Sequence, residues 1–160
     1  MNKHTPHLLV LAEDDANCDI VNGFVLDTHV RPRFIGMPEI AGGWSHVRNE
    51  FHDEYLPKMR LFRNRHMLLL VDCDGDPDRI ETILDGIPAD VRDRVFVLGS
   101  LITPEKLKSA LRTTLEDIGG RLARDCAEGT DVTWSHEQLQ HNESELKRLQ
   151  AVVVPFLFRK

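Results

Sequence analysis

Short, nearly unbroken apolar runs alternate along this chain with segments whose apolar residues recur every three or four positions. HLLVLAEDD (7–15) is the first such run. It is continuous and ends in acids, as expected of a strand buried on both faces. In the next segment Ile20, Val21, Phe24 and Val25 fall at helical spacing, which predicts a helix over 16–27. RPRFIGMPEI (31–40) reads as a second, irregular strand bracketed by Pro32 and Pro38. AGGW (41–44) is a turn, and Val47, Phe51 and Tyr55 or Leu56 predict a helix over 45–59. RHMLLLVD (65–72) is the third and most hydrophobic strand. PDRIETILDGI (77–87) is a helix opened by Pro77 in its first turn, and DRVFVLGS (93–100) is a fourth strand.

Two long segments complete the chain. TPEKLKSALRTTLEDIGGRLARDC (103–126) is expected as one long helix with Thr103 as N-cap and Pro104 at N1, broken or ended at Gly119–Gly120. The segment from Ser135 is expected to begin as a helix capped by that serine. It turns apolar at AVVVPFLF (151–158), where Pro155 confines any last strand to a sheet edge and the apolar residues seal the sheet.

Strands alternating with helices imply an α/β fold: a mostly parallel, Rossmann-like sheet of about four strands with helices on both faces. Residues 1–118 form this domain, and 119–160 a C-terminal helical extension packed on it. In such sheets ligands bind outside the carboxyl ends of the strands. Both acidic clusters fall there: Glu13, Asp14 and Asp15 after the first strand, and Asp72, Asp74, Asp76 and Asp78 after the third. In an extended segment residues i and i+2 share a face, so Asp72 and Asp74 are expected to point at the same ion.

Composition narrows the chemistry. The three cysteines, Cys18, Cys73 and Cys126, stand at unrelated spacings and make neither a disulfide framework nor a zinc motif, which suits a reducing cytoplasm. No apolar stretch approaches the ~20 residues that span a bilayer, and the first residues lack the pattern of a secretory leader. The net charge of −6 argues against a general nucleic-acid coating protein. Positive charge is nevertheless concentrated in KMRLFRNRH (58–66). Its Lys58, Arg60, Arg63 and Arg65 are either a solvated face or a ridge that contacts nucleic acid or an acidic partner.

Carboxylates gathered at one strand end repel one another, by roughly 4 kcal/mol for a pair about 4 Å apart at an effective dielectric near 20. Water, a cation or a basic partner must offset that. A calcium loop beginning at Asp72 fails, because Pro77 stands at its sixth position and Ile83 at its twelfth. A haloacid-dehalogenase loop, DCDGD, would belong on the first strand and carry threonine where Asp76 stands. A receiver-like switch fits better: LVLAEDD would supply its acidic pair, Asp72 its phospho-acceptor and Ser100 its hydroxyl. It lacks the lysine–proline pair that closes a receiver's fifth strand.

From Glu13 to roughly Leu115 the order of glutamate, Asp19, the AGGW turn with Gly42 and Gly43, and then Asp72-x-Asp74 resembles a Toprim domain. That is the catalytic core shared by type IA and II topoisomerases, bacterial primases and overcoming-lysogenization-defect nucleases. The resemblance implies a Toprim-like fold and a divalent-metal-dependent nuclease that hydrolyses phosphodiester bonds. Glu13, Asp72 and Asp74 would be catalytic; these three and Asp76 would hold Mg2+ or Mn2+, and Asp14, Asp19 and Asp78 would be auxiliary acids. Magnesium favours hard oxygen ligands and is usually held by one or two carboxylates with water and phosphate. Glu13 either completes the metal site or serves as general acid/base. The family's glycine after the glutamate is Asp14 here, which offers Asp14 or Asp15 as a further ligand.

Strand passage does not fit, since the lone tyrosine, Tyr55, sits mid-helix at core spacing. Primase is disfavoured by the lack of a zinc ribbon. The small Toprim proteins resembling overcoming-lysogenization-defect nucleases imply a cytoplasmic setting in bacterial anti-phage defence, an ABC-type ATPase partner and nucleic acid, DNA before RNA, as substrate. The alternative is a non-catalytic binding module, a receiver-like switch or a Toprim-like scaffold subunit. Trp44 and Trp134 read as packing residues, and His136 and His141 as helix-surface or interface residues.

Overall fold

The computed structural model describes residues 4–160. Its centre is a sheet of four parallel strands: β1 (His7–Ala12), β2 (Ile35–Ile40), β3 (Arg65–Leu70) and β4 (Val95–Leu98), in the order β2-β1-β3-β4. The all-parallel sheet with helices on both faces is the α/β, Rossmann-like architecture expected from the alternation of runs. One apolar layer packs Leu8, Val10, Leu68, Phe96 and Leu98 under α1 (Asp15–Leu26), α5 (Pro104–Leu111), α6 (Leu115–Glu128), α7 (Glu143–Val152) and α8 (Val154–Leu157). The opposite layer packs Leu11, Met67, Leu69, Val95 and Val97 against α2 (Trp44–Glu50), α3 (Leu56–Leu61) and α4 (Arg79–Asp85). Both faces of the two central strands are covered, which is why those strands read as unbroken apolar runs. No described helix is long and apolar enough to cross a membrane.

β2 is an edge strand, and its register against β1 slips between Gly36 and Glu39, on either side of Pro38. An imino acid without an N–H is tolerated at such an edge. The helix expected over 45–59 extends from Trp44 to Leu61 but is interrupted by a π-turn at Phe51–Tyr55. Pro57 sits in the first turn of α3. A proline there can donate no amide to a continuous ladder, and a widened turn ahead of it absorbs the mismatch.

Several expected boundaries move. Pro77 precedes α4, which begins at Arg79, so it stands in the loop and not in the first helical turn. The long helix breaks at Arg112, whose φ is +52°, and restarts with Thr114 as N-cap, its side chain accepting from the Asp117 amide. α6 then runs straight through Gly119–Gly120. The expected domain boundary at residue 119 therefore falls inside α6, and the C-terminal residues share the core under α1. Ser135 caps no helix; α7 starts at Glu143, after a short 3-10 turn at Gln140–Asn142. The apolar tail is the short helix α8 with an isolated bridge from Phe158 to Val30, and Val153, Leu157 and Phe158 are buried.

The outer edge of β4 is closed by side chains in place of a fifth strand. Arg148 donates to the Val95 carbonyl (3.1 Å), and the Val97 amide donates to Glu145 Oε2 (2.9 Å). Asn142 accepts from the Gly99 amide (3.0 Å) and donates to the Gly99 carbonyl (2.9 Å). The Gln138 backbone carbonyl then accepts from the Leu101 amide (2.8 Å), and its side-chain Oε1 from the Ile102 amide (3.2 Å). An open edge would invite pairing with another chain, and this polar row removes the invitation. Asn142→Ala leaves two buried backbone groups of Gly99 unpaired, each costing about 1–3 kcal/mol. Urea unfolding should show a loss of about 3 kcal/mol, whereas a loss under ~0.5 kcal/mol would mean that water replaces the side chain.

Candidate functional site

The strand order places a topological switch between β1 and β3: the chain leaves β1 toward β2 on one side and leaves β3 toward β4 on the other. A crevice opens at the carboxyl ends of strands that diverge in this way. Glu13 follows β1 directly, and its amide donates to the Leu70 carbonyl (2.9 Å), continuing the parallel ladder. Its side chain turns across the switch, where Oε2 accepts from the Asp72 amide at 2.7 Å.

Asp14 caps α1 and accepts from the Asn17 amide at 3.0 Å. The Asn17 carboxamide, buried beneath the first turn of α1, donates both to Asp14 Oδ1 (2.9 Å) and to Asp72 Oδ1 (3.0 Å). One amide nitrogen thus ties the acids of two strands together. Only 6% of Asp72 is exposed. Burial pushes its carboxyl up to about 7; the Asn17 hydrogen bond opposes this, while Asp14 and Glu13 add to it. Glu13 is also raised, first by burial, with the Asp72 amide opposing and Asp14 and Asp74 contributing. Two acids that hold protons this readily, one nearly enclosed, are under strain from their own charge.

The second aspartate behaves differently. β3 ends at Leu70, although the Val71 and Cys73 amides still bond to Leu98 and Ser100. Asp74 (φ +50°) and Gly75 (φ +84°) then turn the chain, so the expected i, i+2 alternation stops and the two carboxylates do not share a face. Asp72 points inward and Asp74 is exposed. The Asp74 carboxylate pairs with Arg79 (2.6 Å), whose Nη1 also donates to the Asp72 carbonyl (2.8 Å). Asp76 accepts from the Asp78 amide (3.0 Å) and serves the turn, and Asp78 occupies the N-cap position of α4 without a capping bond. Asp15 is exposed, and Asp19 lies two residues past Asn17, roughly 200° around α1 from it. The structure therefore brings together Glu13, Asp14 and Asp72, with Asp74 at the rim, and does not bring in Asp19, Asp76 or Asp78.

The AGGW turn borders the same crevice. The Ala41 and Gly42 amides donate to the carbonyls of Ala12 and Glu13 (both 2.9 Å). Gly42 (φ +88°) and Gly43 (φ +142°) adopt backbone that favours glycine, which turns the chain sharply into α2. Trp44 is half-buried at this rim and packs against the core layer under α2, and Trp134 is buried, both as expected of packing residues. The guanidinium groups of Arg48 and Arg79 lie 5.2 and 4.8 Å from the Trp44 ring centre. Sequence reasoning missed Asn17 and Arg79. Asn17 had a local signal, since it stands three residues after the capping Asp14; Arg79 had none beyond being a base among acids.

Behind the acids, Cys73 is fully buried, with Sγ 3.7 Å from Nε2 of His141, and burial pushes its thiol up to about 11, away from nucleophilic use. The basic segment lies elsewhere. It precedes and begins β3, at the amino end of the sheet, about 17 Å from the β3 carboxyl end by strand rise. There Arg60 pairs with Asp90 (2.9 Å), and Arg65 donates to His7 (3.1 Å) and covers the Phe62 ring. Lys58 and Arg63 are exposed. The four bases thus form no continuous ridge.

Among the described residues no three His, Cys, Asp or Glu side chains form a group that could enclose a metal ion. Magnesium commonly takes only one or two carboxylates and completes its shell with water and substrate phosphate. Glu13 and Asp72 suit that arrangement: each has an oxygen beyond the one that accepts from the Asp72 amide or from Asn17, and a cation would lift the charge strain that raises both. Asp74 can join only by leaving Arg79. Comparison of the chain with family models, with curated proteins and with solved structures finds no match.

Proposed function

We propose that this chain is a Toprim-type, divalent-metal-dependent nuclease in which Glu13 and Asp72 hold the ion and Asp74 joins them. The observation that carries the reading is the meeting of Glu13 and Asp72 at the topological switch, with the buried Asp72 carboxyl raised to about 7. Protons and a divalent cation are the two occupants that relieve such a pair, and near neutral pH the cation gains the advantage as the protons leave.

A bound Mg2+ or Mn2+ would supply neutralisation of charge at the phosphoryl oxygens during phosphodiester hydrolysis. The protein's part is to prepare that place. Asn17 fixes the rotamer of Asp72, and the Asp72 amide fixes that of Glu13. Where it serves as general acid/base instead of ligand, Glu13, raised by burial, would accept a proton from the attacking water and return one to the leaving oxygen. Arg79 neutralises Asp74, which would join a bound ion only by leaving that guanidinium. Work on DNA in the cytoplasm, beside an ABC-type ATPase in anti-phage defence, is part of the same proposal and rests on the motif order of the sequence.

Purified protein incubated with plasmid and single-stranded DNA should cut in Mg2+ or Mn2+ and not in a chelator. Glu13→Gln should slow cleavage about 10²–10⁴-fold, the range of a lost acid/base group. Equal cleavage by Glu13→Gln and wild type would assign the activity to a contaminant. No cleavage in either ion, with or without an ATPase partner, would leave the binding-module reading.

A further inference from the structure

A polyanion approaching this crevice meets the acids that follow β1 and β3: half-buried Glu13 and Asp14, the exposed Asp74 at the rim, and Asp72 beneath them. Lys58, Arg60, Arg63 and Arg65, expected to contact a flanking stretch of nucleic acid or an acidic partner, stand at the other end of the sheet, and two of them are engaged there. Cations do stand at the crevice. Arg48 rises from α2 one turn beyond Trp44, Arg79 opens α4, and both guanidinium groups lie over the one Trp44 ring.

These two cations are poised differently. Arg79 gives Nη1 to the Asp72 carbonyl and to Asp74, which leaves further donors of its five on the same fork. Arg48 has no carboxylate partner among the described residues and rests on the indole face. A guanidinium spread on an aromatic ring keeps its edge donors directed outward, and such a fork matches two phosphate oxygens. The glycines of the turn carry no side chains: a Cβ at Gly43 would meet nothing within 4 Å, and one at Gly42 would meet only the exposed His46 imidazole, at 3.6 Å, so the approach over Gly43 is open.

We propose that Arg48 and Arg79, held on Trp44, are the phosphate-contacting pair of this site, and that a nucleic-acid strand reaches the acids across the AGGW turn. This rests on the nuclease reading above and adds to it the path of the substrate. Arg79 and a divalent cation compete for Asp74. Cation binding there therefore frees Arg79 for phosphate, which couples substrate binding to the metal without any large movement.

The test measures anisotropy of a labelled oligonucleotide against salt in Ca2+, with Mg2+-induced thermal shifts recorded in parallel. Arg48→Gln breaks no hydrogen bond among the described residues and is the principal variant; Arg79→Gln and Trp44→Leu extend it, and the Lys58→Gln/Arg63→Gln pair is the comparator. Arg48→Gln should weaken binding roughly tenfold and lower the salt slope by about one, with the Mg2+ thermal shift unchanged. Trp44→Leu should cost more, because both guanidinium groups lose their support, and the comparator should stay within about twofold of wild type. The proposal is overturned if Arg48→Gln keeps wild-type affinity and slope while the wild type cuts DNA; the nuclease reading then stands alone. If the wild type neither cuts nor binds nucleic acid, both fall together.

Discussion

Asp72→Asn should raise the melting temperature of the metal-free protein and at the same time abolish its hydrolytic activity. The two effects have one cause. Burial, Asp14 and Glu13 push the Asp72 carboxyl from 3.8 up to about 7. An acid whose folded value is raised holds its proton longer in the native chain than in the unfolded one. The contribution of Asp72 to stability is thus full below about pH 4 and is lost as pH rises toward about 7. Each unit corresponds to about 1.4 kcal/mol, so the charged aspartate costs the fold on the order of 4 kcal/mol at pH 8. Asparagine keeps an oxygen for Asn17 and carries no charge. At this chain length a regained ~2–4 kcal/mol corresponds to a rise of about 5–10 °C.

The pH profile separates this effect from others. His7 and His66 are both lowered, chiefly by burial, so they contribute stability that is lost as pH falls below 6.5. In the wild type the two trends oppose each other between about pH 4 and 7. Subtracting the wild-type melting curve from that of Asp72→Asn cancels the histidines. The remaining difference should grow from near zero at pH 4 to its full size by about pH 8. Added Mg2+ should stabilise the wild type over the same rising limb and leave the variant unmoved. A variant that melts at or below the wild type at pH 8, or that responds equally to Mg2+, would show that Asp72 carries no such strain and holds no ion.

The architecture was legible because its signals are local and repeated. Four apolar runs separated by helical periods leave few arrangements other than a parallel sheet, and the acids that end β1 and β3 mark its carboxyl edge. The partners within the site were not legible. Asn17 joins Asp14 to Asp72 across 55 positions of sequence, and Arg79 reaches Asp74 only because Asp74 and Gly75 turn with positive φ. Nor does any periodicity reveal that Glu145 and Asn142, polar residues on an otherwise ordinary helix and its cap, close the edge of β4. The place of the basic segment was legible as well: it leads into β3, and a parallel strand starts at the edge of the sheet opposite its carboxyl end.

Gly119 and Gly120 were expected to break a helix, and they show how the same residue type has opposite meanings at adjacent positions. α6 passes through both because its closest crossing with α1 lies here. A Cβ on Gly119 would overlap the carbonyl oxygen of Ile20 and stand 2.7 Å from the Phe24 amide nitrogen, while a Cβ on Gly23 of α1 would overlap the Glu116 carbonyl. These are backbone atoms and cannot rotate away, so a methyl group must push the helices apart. A Cβ on Gly120 meets only the Gly23 carbonyl at 3.8 Å, an ordinary contact. Gly120→Ala should therefore stabilise by up to ~1 kcal/mol, the difference in helix propensity. Gly119→Ala gains the same propensity, yet should lose about 3 kcal/mol or more net, because overpacking separates an interface that also seats Ile20, Phe24, Ile118 and Leu122. α1 carries Asp14 and Asn17 into the crevice, so the displacement should also weaken the Mg2+ response of the folded fraction. Urea unfolding of the two alanine variants gives the decisive comparison: equal midpoints would mean that the helices do not cross at Gly119, and the seat of Asn17 over Asp72 would lose its foundation.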